Sequence, residues 1–441
     1  MTRRYVVVGT GAAGVAAAEK IRELDSSGQI ILIGEEAAGY YSRPGLAYYL
    51  SGELPEKLLF PFAREDFRRL NLERIHGRVV ALHPQDHLLT LEDGRQVAYD
   101  RLLLATGSSA HMPPTPGREL DGVVKLDTME DARDIIRRSR RARAAVVAGG
   151  GITALELVEG LRARRVRTHY LLRRDRYWSS VLDATESRIV EHRLREEGVE
   201  IHFHTEVAQI LGKRGRVEAV STQDGGEIPC QIVAIAVGVR PNKSLAEGCG
   251  LDTDRGILVD ETLATSVRDV FAAGDVAQVF DPFSGRAVLD TLWSAAVAQG
   301  RVAGQNMTGK STAYRKGVAF NVTRLAGLTT TIIGSVGGGR DHDTQGIVRG
   351  DSEAWRQLPN AIAAEDRFEV NRLRVLVGEE RLLGALVMGD QSLSQPLQHL
   401  VSHSVNVAAI RDRLLKPGAP LADILANFWI QWRRDHAPPH L

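Results

Sequence analysis

Two segments of this chain share one plan: a short apolar strand, a glycine-rich turn, a helix and a second apolar strand. The first covers residues 5–35 and the second covers residues 144–173. A strand that enters a helix through a tight glycine turn returns as a neighbouring parallel strand, so each segment predicts a βαβ unit. The repeat indicates an α/β chain built on two parallel sheets, and it argues against an all-helical or all-antiparallel fold.

The first turn carries three glycines at the spacing of a dinucleotide fingerprint. Gly9 makes the tight turn, Gly11 lets a pyrophosphate approach, and Gly14 lets the helix pack closely on the strand. Ala12 and Ala13 open the helix, whose N-terminal amides face the phosphates. Glu35 follows the second strand, where an acid binds ribose hydroxyls.

The second turn repeats this pattern with Gly149, Gly151 and Ala154, and Ile152 and Thr153 open its helix. Two dinucleotide sites in one chain suggest two nucleotides that meet, as in hydride transfer between a nicotinamide and a flavin. The alternative is a degenerate second site that is kept only as scaffold.

Composition excludes several other classes of protein. The 441 residues carry a net charge of +1, which gives no overall field for nucleic acid. Two cysteines, Cys230 and Cys249, are too few for a disulfide framework, a cysteine zinc site or a protein-ligated iron–sulfur cluster. We find no signal peptide and no stretch of ~18 apolar residues, so we expect a cytoplasmic protein without a transmembrane segment.

Four passages, and a fifth that fits them, carry a resemblance to a known family. They are residues 6–14, 102–107, 145–156 and 272–275, together with the VGVRPN stretch at 237–242. In order and spacing over about residues 1–315 the chain resembles the FAD-dependent pyridine nucleotide-disulfide oxidoreductases. The resemblance implies two Rossmann-like, three-layer domains followed by a C-terminal α+β domain.

The resemblance also implies where the cofactors bind. FAD is expected on the first βαβ unit and NAD(P)H on the second. The implied domains are FAD-binding at 1–115 and 241–315, NAD(P)H-binding at 116–240, and a C-terminal interface domain with a helical tail at 316–441. The residues expected to contact FAD are Gly9, Gly11, Ala12, Ala13, Gly14, Glu35, Arg43, Pro44, Ala105, Thr106, Gly107, Gly274, Asp275, Trp293 and Ala296. Those expected at NAD(P)H are Gly149, Gly151, Ile152, Thr153, Arg173, Arg174 and Gly238, and Glu156 and Trp293 are expected to surround the reacting rings.

The stretch at residues 40–50 contains no cysteine, and Pro44 stands roughly where one branch of the family has its single cysteine. Without a thiolate, neither a dithiol relay nor cysteine-based peroxide reduction is possible there. The Tyr-Ser-Arg-Pro-x-Leu pattern is similar to the flavin modules of NAD(P)H nitrite reductase and of the rubredoxin and ferredoxin reductases. This implies an NAD(P)H-dependent flavoprotein reductase.

The resemblance implies that electrons pass to a separate metal-centred acceptor, an iron–sulfur or rubredoxin-like protein. The iron–sulfur and sirohaem modules of the large nitrite reductases do not follow in this sequence. Two alternatives stay open: a flavin oxidase that uses oxygen, and a non-catalytic flavoprotein subunit of a redox complex. A homodimer or a place in such a complex is expected.

The nicotinamide preference depends on the end of the second strand of the repeat. NADH-preferring members have an acid there, whereas this chain has Leu172 followed by Arg173 and Arg174. Arginines without an acid suit a 2′-phosphate, so we expect NADPH rather than NADH. The alternatives are that these arginines form a solvated face, or that nicotinamide binding has been lost. Glu156 is retained in the GITALE run, which argues against loss.

Other features have plainer readings. His202 and His204 share a face of a predicted strand, but no partner acid or cysteine at metal-ligand spacing accompanies them, so no metal site is predicted. The basic run at 137–143 is expected to be a solvated helix end, with a docking patch for an acidic electron carrier as the alternative.

An apolar stripe on the tail helix at 421–432 is expected to pack on its own domain or on a dimer partner. The alternative is that the stripe docks on a redox partner or on a membrane surface.

Overall fold

The computed structural model describes residues 2–337, 347, 349–356, 361–365 and 371–436. The chain divides into two compact units. The first comprises residues 1–173, 199–316 and 345–351, and the second comprises residues 174–198, 317–344 and 352–441. Residues 174–198, which lie inside the expected nicotinamide segment, therefore group with the C-terminal part of the chain.

The first unit contains a five-stranded parallel sheet built on the first repeat. In spatial order its strands are Val270–Ala272, Arg101–Leu104, Arg4–Val8, Gln29–Gly34 and Leu72–His76. Four of its strands are mostly buried and read as apolar runs, as expected for parallel strands covered on both faces. The edge strand Leu72–His76 differs, because none of its residues is fully buried.

Helices Ala12–Leu24 and Trp293–Met307 pack against each other beside this sheet. Their approach depends on small residues: a Cβ on Gly300 would lie 2.1 Å from the Ala13 carbonyl oxygen, and one on Gly304 would lie 2.5 Å from that of Ala17. The second helix, predicted from Thr291, begins two residues later at Trp293.

A second five-stranded parallel sheet in the same unit is built on the repeat. The apolar periodicity after the second glycine turn predicts a helix from Ile152 to Ala163, and a helix with these bounds follows the central strand. A three-stranded antiparallel sheet contributes apolar side chains to the core beside this parallel sheet. The parallel strands in spatial order are Glu200–Phe203, Arg167–Leu172, Ala144–Ala148, Ile232–Ile235 and Val123–Val124. The antiparallel strands are Val207–Lys213, Arg216–Thr222 and Glu227–Pro229.

One predicted strand is shorter than the sequence suggested. The pattern at residues 101–107 indicated a strand that ends at a glycine, but the strand ends at Leu104. Thr106 and Gly107 instead exchange hydrogen bonds with Asn242 of the VGVRPN stretch. The strand ends because a segment distant in sequence takes these hydrogen bonds, which the local sequence pattern does not show.

Smaller elements complete the first unit. The hairpin predicted at residues 92–94 joins two of its short strands. The strands are Val79–His83, Leu88–Leu91 and Gln96–Ala98 in one sheet, Ile257–Leu258, Ala277–Asp281 and Arg286–Val288 in another, and the pair Ser108–Ala110 and Val239–Pro241. The helices are Leu46–Ser51, Arg64–Leu70, Met129–Ser139 and Ser244–Glu247, with 3₁₀ turns at Glu56–Leu59 and Pro84–Asp86.

The second unit contains an antiparallel five-stranded sheet with helices. Its core includes the tail helix Leu421–His436, which buries Leu421, Ile424 and Leu425 and packs Phe428, Trp429 and Trp432 partly against the same core. The strands in spatial order are Phe320–Leu325, Leu328–Gly334, Leu382–Met388, Arg372–Val377 and Ile362–Glu365. The other helices are Ala184–Glu196, Ser394–Ser402 and Ala408–Leu414, with a 3₁₀ turn at Glu353–Arg356.

Among the residues that the structure describes, no helix combines the length and apolar composition needed to cross a bilayer.

Candidate functional site

The first glycine turn has the backbone that its fingerprint requires. Gly9 has φ +122°, and a Cβ there would lie 2.0 Å from the Ala105 carbonyl oxygen. A Cβ on Gly14 would lie 2.0 Å from the Gly9 carbonyl oxygen, so helix and strand pack without room for a side chain. Gly11 differs, because a Cβ there meets no described atom within 4 Å.

The second glycine turn reproduces this geometry. Gly149 has φ +148°, and a Cβ there would lie 2.1 Å from the Ala236 carbonyl oxygen. Gly151 is the residue before the helix, as Gly11 is in the first turn, and neither helix start has a side-chain cap. The N-terminal amides at Ile152 and Thr153, like those at Ala12 and Ala13, are thus left to a ligand or to solvent.

The space beside Gly11 and the uncapped helix start fit a bound pyrophosphate, which accepts hydrogen bonds and favours the positive end of a helix. The second turn has the same donor set. The residues present therefore fit a dinucleotide at each turn, with FAD and NAD(P)H as the two groups.

Asp275 lies in a hydrogen-bonded network of the first unit. It accepts a 2.6 Å hydrogen bond from the Ser108 hydroxyl. Beside it, the Gly274 amide donates to the Gln299 side-chain oxygen at 2.8 Å, and Gly274 has φ +81°. A Cβ on Gly274 would lie 3.1 Å from that of Ala13 and 3.8 Å from that of Ala296. This brings the Gly274–Asp275 turn to the start of the first fingerprint helix.

Trp293 begins the helix that carries Ala296 and Gln299. Its half-buried ring stacks on Tyr40, with 6.0 Å between ring centroids. Ala296 is buried. The structure thus brings Trp293 together with the cysteine-free stretch at residues 40–50, which the sequence placed in the same expected site.

Arg43 is held on three sides within that stretch. It is paired with Glu36, donates to the Asp127 carbonyl oxygen, and lies over the Tyr41 ring at 5.4 Å. Tyr41 donates to Glu36 at 2.7 Å. Pro44, the next residue, is exposed. These contacts of Arg43 order the loop, a role that the sequence did not indicate.

Arg349 and Asp127 are site residues that the sequence analysis missed. They form an ion pair, and Asp127 also accepts from Lys125 at 3.2 Å and from the Ala110 amide at 3.1 Å. Arg349 donates to the Ser108 carbonyl oxygen at 3.2 Å. The Thr128–Asp131 capping box gave a local signal for the turn at Asp127. Arg349 had none, because its partners lie more than 200 residues away in sequence.

Glu156 projects from the second fingerprint helix. Burial raises the pKa of its carboxyl to about 7, and the charge of Arg349 opposes that shift. Arg349 donates to the Ser108 carbonyl oxygen, and the Ser108 hydroxyl donates to Asp275, so the charge that acts on Glu156 belongs to the hydrogen-bonded network of the Asp275 turn. A carboxyl that titrates near neutral pH in such a position is a candidate functional group.

Flavin reduction by the nicotinamide is expected to depend on this carboxyl. Hydride loss leaves positive charge on the nicotinamide ring, which a nearby carboxylate stabilises. Because the raised pKa keeps Glu156 neutral below about 7, the rate constant should rise as pH increases through 7. Glu156→Gln should abolish that rise.

Stopped-flow absorbance at 450 nm, under anaerobic conditions and across the pH range, measures this rate constant. Glu218→Gln, which removes an exposed carboxyl from the hairpin of the same domain, is the matched control. An unchanged pH profile in Glu156→Gln would assign the titration to another group.

Glu35 and Arg173 occupy equivalent positions in the two repeats. The Gly9 amide donates to the Ile33 carbonyl oxygen, and Glu35 stands two residues after Ile33. The Gly149 amide donates to the Leu171 carbonyl oxygen, and Arg173 stands two residues after Leu171. The second repeat thus carries an arginine at the position where the first repeat carries an acid.

The remaining predicted residues fall as follows. Gly238 has φ +124° and its carbonyl oxygen accepts from the His111 amide. Arg174 is the first residue of a segment that groups with the second unit. Burial raises the pKa of the Cys230 thiol to about 12, and Cys249 is half-buried with its pKa also raised by burial. Neither thiol is activated.

Comparison with known proteins gives concordant results. Residues 3–300 match the family described as Pyridine nucleotide-disulphide oxidoreductase. Rubredoxin-NAD(+) reductase of Ectopseudomonas oleovorans is 31% identical over 311 residues, covering 70% of this chain and 80% of the relative. The ferredoxin--NAD(+) reductase component of the anthranilate 1,2-dioxygenase system of Burkholderia cepacia is 31% identical over 404 residues, covering 89% and 97%.

A solved structure shows the same fold over nearly the whole chain. The ferredoxin reductase for the CYP199A2 system of Rhodopseudomonas palustris superposes with a TM-score of 0.84 at 23% identity, covering 96% of this chain and 99% of that one. With the matched family and the two glycine turns, this confirms the expected fold class and cofactor pair. The chain belongs to the pyridine nucleotide-disulphide oxidoreductase family, as an oxidoreductase that uses FAD and a pyridine nucleotide.

Proposed function

We propose that this protein takes a hydride from NAD(P)H and passes the electrons to a separate iron–sulfur or rubredoxin-like protein. The observation that carries the proposal is the pair of equivalent glycine turns in one unit, each followed by a helix start without a side-chain cap. FAD, when bound, converts a two-electron donor into a source of single electrons.

The residues around the first turn support a reductase over a thiol relay. The stretch that stacks on Trp293 contains no cysteine, and burial disfavours the thiolate of Cys230 and of Cys249. Electrons must therefore leave by a route other than a dithiol of this chain. The relatives named above reduce rubredoxin or ferredoxin by their printed names, which favours that class of acceptor.

In the proposed reaction, the residues of the chain align the two nucleotides and place charged groups beside them. The helix starts at Ala12 and Ile152 hold the two pyrophosphates, and the helix start at Trp293 places its amides beside the Gly274–Asp275 turn. Glu156 stabilises the oxidised nicotinamide as its carboxylate. No step needs a proton from a cysteine or histidine.

Anaerobic titration of the yellow protein with NADPH and then NADH, followed by an oxidised rubredoxin or [2Fe–2S] ferredoxin, tests the proposal. Loss of flavin absorbance, and its return as the acceptor is reduced, are expected. Steady NAD(P)H consumption with oxygen alone, and no transfer to either acceptor, would make the protein an oxidase. No bleaching by either nucleotide, with dithionite still effective, would leave a non-catalytic flavoprotein subunit.

We propose NADPH as the preferred nucleotide, because Arg173 stands where the equivalent residue of the first site is Glu35. An arginine bonded to a phosphate contributes about 1.5–3 kcal/mol. Arg173→Gln should therefore lower kcat/KM for NADPH by about 10- to 100-fold and leave that for NADH nearly unchanged. Steady-state rates with both nucleotides measure this.

The control for that substitution is Arg143→Gln, which removes an exposed arginine at the opposite end of the same sheet. An equal loss with both nucleotides would place Arg173 in general binding and remove the preference for NADPH. No change in kcat/KM for either nucleotide would show that this arginine is only part of a solvated face.

We also propose the expected domain boundaries apart from residues 174–198, which group with the C-terminal unit. We propose in addition a cytoplasmic location, and a homodimer or a place in a redox complex. In the basic run at 137–143, Arg137 and Arg138 pair with Asp134 and Arg138 also pairs with Asp121, which supports the solvated helix end. The other three arginines of the run are exposed. Light scattering of the purified protein, alone and with the acceptor, distinguishes a dimer from a larger complex.

A further inference from the structure

Three potential metal ligands meet on neighbouring strands of the second parallel sheet. His169 lies on strand Arg167–Leu172, and Glu200 and His202 lie on the edge strand Glu200–Phe203. His169 stands opposite Glu200 in the parallel register. Glu200 and His202 are two residues apart, so they share a face of their strand. The register therefore brings all three side chains to one place.

The sequence pattern pointed to a different pair of histidines. His202 and His204 were expected to share the face, but the strand ends at Phe203 and His204 adopts φ +51°. The partners of His202 are instead a histidine more than 30 residues earlier and an acid two residues before it. Only the pairing of the strands makes this set visible.

The distances suit a small divalent cation. His169 Nδ1 lies 3.2 Å from His202 Nε2 and 3.5 Å from a Glu200 carboxylate oxygen. All three ligand atoms lie within 4.8 Å of one another. Ligands about 2.1 Å from a tetrahedral ion are about 3.4 Å apart, so two of these separations already match before any side chain moves.

The surroundings prepare these groups as ligands. Arg167 donates to one oxygen of Glu200 at 2.6 Å, which leaves the other oxygen on the side of His169. His169 is buried in the sheet beside these two groups. Ligating residues are commonly oriented by such outer hydrogen bonds. The other charge acting on the cluster is Asp224, an exposed carboxylate whose pKa His202 helps to lower.

We propose that His169, Glu200 and His202 bind one divalent transition-metal ion of the Zn²⁺ class, with solvent completing its coordination. Two imidazole nitrogens and a carboxylate oxygen are ligands that Zn²⁺ takes at tetrahedral sites, and they do not suit Mg²⁺ or Ca²⁺. The ion links the edge strand to its neighbour within the nicotinamide domain. It takes no part in the proposed hydride transfer.

Zn²⁺ itself is the probe. Holoprotein freed of metal with a chelator is dialysed against ZnCl₂ at pH 7.5, and bound zinc is measured per FAD. We expect one zinc ion per chain and a rise in the thermal midpoint with increasing zinc, since an ion that binds only the folded chain stabilises it.

His202→Gln and Glu200→Gln should each weaken zinc binding at least tenfold and remove the rise in thermal midpoint. His204→Asn is the matched control, because asparagine tolerates the positive φ of that position and the histidine is outside the cluster. FAD content and the thermal midpoint without zinc show that each variant is folded. Equal zinc binding in all four proteins, or none in the unaltered protein, would overturn the proposal.

Discussion

Alanine at Gly9 should produce a chain that folds poorly and retains no FAD. The new Cβ would lie 2.0 Å from the Ala105 carbonyl oxygen, on a backbone with φ +122°. The oxygen is a backbone atom, and the position of the Cβ is fixed by the backbone of residue 9. Neither atom can move without displacing one of the two adjoining strands. A non-glycine residue in such a conformation costs about 1–3 kcal/mol before any overlap, so we expect a total loss of about 3–5 kcal/mol in the free energy of unfolding.

Alanine at Gly11 separates binding from folding. Its Cβ meets no described atom of the protein within 4 Å, and φ there is −82°. The apoprotein should therefore unfold at nearly the same denaturant concentration as the unaltered chain. The methyl group would instead occupy the space left for the pyrophosphate, and FAD affinity should fall by about 10- to 100-fold.

Urea unfolding of the apoproteins and flavin fluorescence titration measure these two effects separately. If Gly11→Ala bound FAD as tightly as the unaltered chain, the pyrophosphate would have to lie elsewhere. If Gly9→Ala were as stable as the unaltered chain, the turn would have to relax in a way that this structure does not show.

Replacing Arg374 with methionine is expected to destabilise the second unit by about 3–5 kcal/mol. Arg374 donates two hydrogen bonds to Glu186, at 2.8 and 2.9 Å, and a third to the Val181 carbonyl oxygen at 3.0 Å. Glu186 is fully buried and Arg374 nearly so. Burial raises the pKa of Glu186 and Arg374 opposes it, so removal of Arg374 leaves a carboxyl without its main compensating charge.

The double variant Arg374→Met with Glu186→Leu is the matched control. Since it removes both charges, it should recover most of the stability, as replacement of buried ion pairs by apolar residues commonly does. Urea unfolding followed by tryptophan fluorescence is suited to this unit, where Trp178 and Trp355 are buried. Equal stability of the single and double variants would show that the pair contributes little to the fold.

The two nucleotide turns were open to prediction because their chemistry is local. Each turn depends on a glycine with a positive φ, a helix that begins directly after the turn, and an acid or arginine after the second strand. All three are encoded within about 35 residues, so the pattern can be recognised in the sequence. The helix Ile152–Ala163 was predicted with its observed bounds, because a glycine turn marks its start and apolar periodicity its length. The family resemblance then indicated which nucleotide each turn binds.

Arg349, Asp127 and the His169–Glu200–His202 cluster could not be predicted in this way. Each depends on segments that are distant in sequence and that only strand pairing or loop packing brings together. The early end of the strand at Leu104 has the same origin, since the segment at Asn242 takes the hydrogen bonds. The grouping of residues 174–198 with the C-terminal unit is another such case.

The sequence by itself determined the α/β class, the two dinucleotide turns and the absence of a cysteine beside the first of them, because short-range backbone geometry and residue chemistry specify these features. The tertiary structure alone decided which charged groups surround the site, where burial moves a pKa, and which histidines meet, because such properties depend on long-range packing and on the exclusion of water that accompanies it.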